Sequence, residues 1–124
     1  MLRHVTLLVP EYDAGLRFFV EGLGWSCLSD IDQGRKRWVT VAPPGGGTSL
    51  VLAIPTTAEQ SRALGAQTGD RVGLFLETDE FDATAARITA AGGRLLEEPR
   101  TEPYGRVVQW CDPWGNRWDL LGPA

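Results

Sequence analysis

Two side chains in this sequence have both the chemistry and the setting for a reactive site. His4 is the only histidine of the chain, and Asp119 is an acid between Trp118 and Leu120 in the closing stretch CDPWGNRWDLLGP. An imidazole near neutral pH can carry a proton or ligate a metal, and a carboxylate can do the same work. Both are therefore candidate catalytic residues. Each also has a structural role to compete with. His4 can be a half-buried histidine hydrogen-bonded across a sheet, and Asp119 can cap its own turn or pair with Arg117 or Arg71.

Around these two, four residues are candidates for binding a ligand. Trp38 and Tyr104 are the aromatics best placed for a ligand wall; most of the five tryptophans are expected in packing, because each carries a large apolar area. Phe75 shares a strand face with Gly73 and Arg71. Arg71 can clamp an anion through two parallel hydrogen bonds, in competition with an ion pair to Asp70. Other chemistries lack their signatures. Gly45–Gly47 follow Pro44 with no Lys-Ser/Thr and no helix start, so they form a hairpin and not a phosphate loop. Cys27 and Cys111 are too few for a disulfide scaffold and have no zinc-type spacing, so both are expected to be reduced and packed.

The elements that position these residues repeat. HVTLLVPEYDAGLRFFVEGLGW reads as a strand ended by Pro10 and a helix starting near Tyr12–Asp13. Its buried stripe is Leu16, Phe19, Val20 and Leu23, and Gly22 and Gly24 stop it. GLFLETDEFDATAARITAAGGR has the same order, and one constant shift brings Leu7 onto Leu76, Asp13 onto Asp82, Ala14 onto Ala83 and Gly24 onto Gly93. After the first glycines come WSCLSDID, RKRWVTVAP and TSLVLAI; after the second come RLLEEP, GRVVQW and NRWDLL, each set divided by turn residues. The fold expected is α+β: two tandem β-α-β-β-β modules, 1–54 and 71–124, joined by a polar linker at 55–70 with one helical turn near Glu59–Leu64. Each meander should carry its helix on one face, and the paired modules should curl into a half-open cup.

Composition narrows the partners. The formal charge of −4 gives no basic face for nucleic acid, and the RKR triplet at 35–37 reads as a solvated turn. The N-terminal apolar run is too short for a signal peptide or a membrane span, so a cytoplasmic location with no membrane partner is expected.

The module order, the first-strand stretch HVTLLVPEYDAGLRFFVEGLGW and the ending DPWGNRWDLL together resemble the vicinal oxygen chelate superfamily, which includes glyoxalase I, extradiol dioxygenases and the fosfomycin- and bleomycin-resistance proteins. The resemblance spans almost the whole chain. It implies a homodimer and, in enzymatic members, a divalent metal held by first and late strands of both modules. Carried onto this sequence, the ligand positions fall on His4 and Asp119, the latter one methylene shorter than the usual Glu. The other two fall on Gly73 and near Val51, which cannot ligate; Glu77, on the strand of Gly73, is too far along to substitute. The expectation is therefore a small-molecule-binding member with a degenerate metal site. Two alternatives stand beside it: a metal-dependent lyase or dioxygenase of the glyoxalase type using His4 and Asp119, and a metal-free enzyme in which either residue is a general acid or base.

Overall fold

Two β-branched residues and two leucines after His4 form strand β1 (His4–Leu8), and the residues after it turn directly into helix α1 (Tyr12–Leu16). The computed structural model describes residues 1–124 in two compact units, Met1–Leu64 and Gly65–Ala124. The boundary falls inside the polar stretch 55–70.

In the first unit, α1 runs into a π-helical turn at Arg17–Gly22 and is followed by β2 (Ser26–Asp32), β3 (Arg37–Ala42), β4 (Ser49–Ala53) and the short helix α2 (Ala58–Ala63). The four strands form one sheet in the order β1-β4-β3-β2, with β1 and β4 parallel and the other pairs antiparallel. The helix covers the face that carries Leu7, Val39, Val41, Leu50 and Leu52, all buried. It passes close to the sheet at Gly15, where an added Cβ would lie 2.6 Å from the Leu52 Cδ1 methyl. The π turn alters the expected stripe. Leu23 N–H reaches back five residues to the Phe18 carbonyl at 2.9 Å, and this wider turn brings Phe18 and Phe19 inside while Leu16 and Val20 are only half-buried.

The second unit consists of β5 (Val72–Glu77), α3 (Phe81–Ala91), β6 (Arg94–Leu95), β7 (Arg100–Glu102), β8 (Gly105–Cys111) and β9 (Arg117–Gly122). Its sheet runs β5-β9-β8-β6 with β7 also on β8, and β5 and β9 are parallel as β1 and β4 are. Leu76, Val108, Trp110, Trp118 and Leu120 make the buried face, with the Trp110 and Trp118 rings stacked 4.8 Å apart. RLLEEP does not form the continuous strand expected. It divides around Glu97, whose Oε2 accepts the Gln109 N–H at 2.8 Å where a backbone carbonyl would have stood.

The duplication inferred from the glycines extends to side-chain geometry. Arg37 donates to Asp13 at 2.9 Å and lies over the Tyr12 ring at 5.4 Å; Arg106 donates to Asp82 at 3.0 Å and lies over Phe81 at 4.3 Å. The shift that aligns Asp13 with Asp82 also aligns Tyr12 with Phe81 and Arg37 with Arg106. In both units an arginine from the sheet thus holds the start of the helix through a carboxylate and a ring. These pairs are exposed and mainly fix orientation.

Candidate functional site

The face of each sheet turned away from its helix carries the candidate residues. Alternation along β1 puts His4, Thr6 and Leu8 on that face in the first unit, with Trp38 from β3 and Ser49 from β4. Parallel pairing sets His4 directly opposite Ser49, and the imidazole Nδ1 lies 2.6 Å from the Ser49 hydroxyl. Ser49 is buried and its hydroxyl donates to the Arg3 carbonyl at 3.2 Å. The Trp38 ring meets the imidazole edge-on, with centroids 5.7 Å apart. The cross-sheet hydrogen bond anticipated as a structural role for His4 is therefore present, and it uses only one ring nitrogen.

In the second unit the equivalent face holds Gly73, Phe75 and Glu77 on β5, Asp119 on β9 and Gln109 on β8. Asp119 pairs with Phe75 on one side and Gln109 on the other, so the three side chains form a row across the sheet. Phe75 is 64% exposed. Arg117 does not pair with Asp119; its guanidinium donates to the Gln109 amide oxygen at 3.2 Å. Nor does Asp119 cap its turn, because Asp112 does so. Asp119 Oδ1 is left buried with no hydrogen-bond partner. Burial pushes this carboxyl above the ordinary aspartate range; the nearby Arg100 charge works against that shift and the Glu97 charge adds to it. Arg100 itself is engaged by Glu97 at 3.0 Å and Glu102 at 2.8 Å.

A buried oxygen without a partner costs stability. Asp119→Asn is expected to raise stability at neutral pH by less than about 1 kcal/mol, since the residue is only partly buried. The sign follows from the raised carboxyl. Its favourable contribution is complete below the unfolded value near 3.9 and is lost as pH rises through the folded one. Urea midpoints measured from pH 3 to pH 8 should show the variant's advantage at neutral pH and its disappearance at the acid end.

Of the other candidates, Arg71 is exposed just ahead of β5, and Tyr104 is exposed on the turn between β7 and β8. The ion pair with Asp70 that competed for Arg71 is not made. Thr68 decides the fate of the position that matches His4. A Cβ at Gly73 would lie 2.6 Å from Thr68 Cγ2 and 2.7 Å from Thr68 Oγ1, and that hydroxyl is tied to the Arg71 carbonyl at 2.8 Å. A ligating side chain at 73 would have to push the Thr68 side chain aside and break that hydrogen bond. Val51, opposite Thr6, occupies on β4 the place that Asp119, opposite Phe75, occupies on β9. No group of three or more His, Cys, Asp or Glu side chains is arranged to hold a metal. The donor set does not fit a resident divalent ion, which wants at least three protein ligands in sites of this kind.

Each unit thus carries a β-α-meander order, with a helix on one sheet face and the candidate residues on the other, and this repeated arrangement defines the class of fold. The chain belongs to the Glyoxalase/Bleomycin resistance protein/Dioxygenase superfamily, whose family model matches residues 1–120. It is 40% identical over 121 residues to an uncharacterized protein of Shewanella frigidimarina, covering 95% of this chain and 90% of that protein. Among solved structures, UcmS2 superposes with a TM-score of 0.80 at 29% identity, covering 98% of this chain and 96% of that one. TnmS3, an antibiotic binding protein from Streptomyces sp. CB03234, superposes with a TM-score of 0.77 at 31% identity, covering 100% and 96%.

Sequence reasoning missed Ser49, Gln109, Thr68 and Asp112. Ser49 and Gln109 are legible only once strand register is known. Asp112 carried a signal, because an aspartate opening a Pro-Trp-Gly-Asn turn is the residue type that binds its own following amides.

Proposed function

We propose that this chain binds a small aromatic molecule carrying hydrogen-bond donors, through the helix-free sheet faces and without a protein-held metal. The observation that carries the reading is Asp119, a carboxylate with a buried, unpartnered oxygen beside the exposed ring of Phe75. A ligand N–H or O–H would satisfy that oxygen and the ring would cover its apolar body, so binding would relieve a cost that folding leaves in place. The first unit offers the same combination, an acceptor on His4 and the indole of Trp38. Similarity to an antibiotic-binding protein supports a binding role. The formal charge of −4 suits a cationic ligand.

The degenerate metal site is part of the proposal, and it rests on Gly73 under Thr68 and on Val51. Elemental analysis of untagged protein, followed by calorimetric titration with zinc, nickel, manganese and iron(II), tests it. No stoichiometric uptake is expected. One equivalent of metal that disappears in His4→Ala would overturn it and restore the lyase or dioxygenase reading with His4 and Asp119 as ligands. A homodimer in the cytoplasm remains our expectation for the assembly and its location, to be checked by sedimentation and by fractionation of the producing cell. No helix is long and apolar enough to cross a membrane.

A further inference from the structure

Three groups on the first unit's helix-free face are connected by hydrogen bonds that leave little freedom for protons. The Arg3 carbonyl can only accept. It already takes the Ser49 N–H at 2.9 Å, and the Ser49 hydroxyl donates to it at 3.2 Å. A serine hydroxyl has one proton, so once that proton points at Arg3 the 2.6 Å contact with His4 needs its proton from the other side, from Nδ1. The reverse arrangement would set the lone pairs of Ser49 against those of Arg3. Neutral imidazole has one ring proton. With it on Nδ1, Nε2 carries a lone pair, and no group in the chain donates to it.

We propose that Ser49 is a positioning residue that locks His4 in the Nδ1-protonated tautomer, so that the face beside Trp38 selects ligands presenting an N–H or O–H donor to Nε2. The ligand preference rests on the small-molecule-binding reading; the tautomer does not. The same second-partner arrangement would orient a metal-binding imidazole. Here the partner is present while the remaining donors are not, which leaves Nε2 as an acceptor.

Because the chain has a single histidine, a two-bond 15N–1H correlation on labelled, untagged protein reports one imidazole. It should be recorded near pH 8.5, above the ordinary histidine range. The wild-type ring is expected to show a protonated Nδ1 and an unprotonated Nε2, opposite to the form free histidine prefers. Ser49→Ala should move the population toward the Nε2-protonated form, and Ser49→Thr, which keeps the hydroxyl, should restore the wild-type pattern. A wild-type ring protonated on Nε2 overturns the proposal without any variant, as does an unchanged tautomer in a folded Ser49→Ala protein.

Phenol and anisole then test the ligand preference, since they share a ring and only phenol has a donor. Phenol is expected to shift the Nε2 resonance and to bind Ser49→Ala about three- to tenfold more weakly, the range for one lost hydrogen bond. Anisole shifting Nε2 as strongly as phenol overturns the donor preference. If neither compound binds while the tautomer is as stated, the positioning role of Ser49 is upheld and the ligand reading on this face fails.

Discussion

Asp112→Ala is expected to destabilise the second unit by about 4 kcal/mol, a large share of the roughly 5–15 kcal/mol that holds a small domain together. Asp112 is 2% exposed, and its two oxygens accept five hydrogen bonds. Oδ1 takes the backbone N–H groups of Trp114, Gly115 and Asn116 at 3.0 to 3.1 Å. Oδ2 takes the Asn116 amide at 3.0 Å and the Trp118 indole N–H at 3.1 Å. Removing the carboxylate strands these donors where water reaches few of them, at about 1–3 kcal/mol for each one left buried. Asp112→Asn separates the two oxygens. The amide oxygen can still serve the backbone donors, but its NH2 would face the Asn116 amide and the Trp118 indole, so roughly half the loss is expected. Denaturant melts of both variants, with near-ultraviolet circular dichroism for the stacked Trp110 and Trp118, check the order wild type, Asn, Ala. Equal stability of the alanine variant and the wild type would sink this account of the turn.

Gly65→Ala should be the next most damaging, at about 3 kcal/mol. Gly65 has φ +74°, and a Cβ there would collide with the Trp114 carbonyl, a backbone atom of the same turn. Left-handed backbone costs a non-glycine residue about 1–2 kcal/mol, and overpacking adds about 1–3 kcal/mol more. Gly46 is the control. Its φ is +78° and a Cβ there meets nothing within 4 Å, so Gly46→Ala should cost only the conformational part. The difference between the two urea midpoints isolates the clash; equal midpoints would mean that the turn moves aside without cost.

Both predictions concern the motif CDPWGNRWDLLGP, which holds two acids, Asp112 and Asp119. Asp119 drew attention because it interrupts an apolar strand, and period-two alternation correctly sends Trp118 beneath the sheet and Asp119 to the opposite face. The capping role weighed for Asp119 belongs to Asp112, which is closer to the turn amides. Module order and the helix ends were legible because glycine, proline and strand periodicity are local signals. The duplicated arginine clamps were not, since Arg37 and Arg106 stand 24 residues from their partners Asp13 and Asp82. The π turn after Leu16 was also invisible, because the pattern Leu16, Phe19, Val20, Leu23 fits an ordinary helix. The candidate site was half legible. His4 and Asp119 stand out by residue type, whereas Ser49, Gln109 and Thr68 matter only through register and turn packing that no local pattern encodes.

Metal-free binding of donor-bearing aromatics has a direct test in proflavine, a planar aromatic cation with two amino groups. Tryptophan quenching and calorimetry would follow its titration into untagged protein, with and without excess chelator, for wild type and Asp119→Asn. Saturable binding is expected, indifferent to chelator and weakened about tenfold or more by Asp119→Asn, the size of a lost hydrogen bond to a charged group. Binding that vanishes with chelator, or that is untouched by the loss of the Asp119 carboxylate, would overturn the reading.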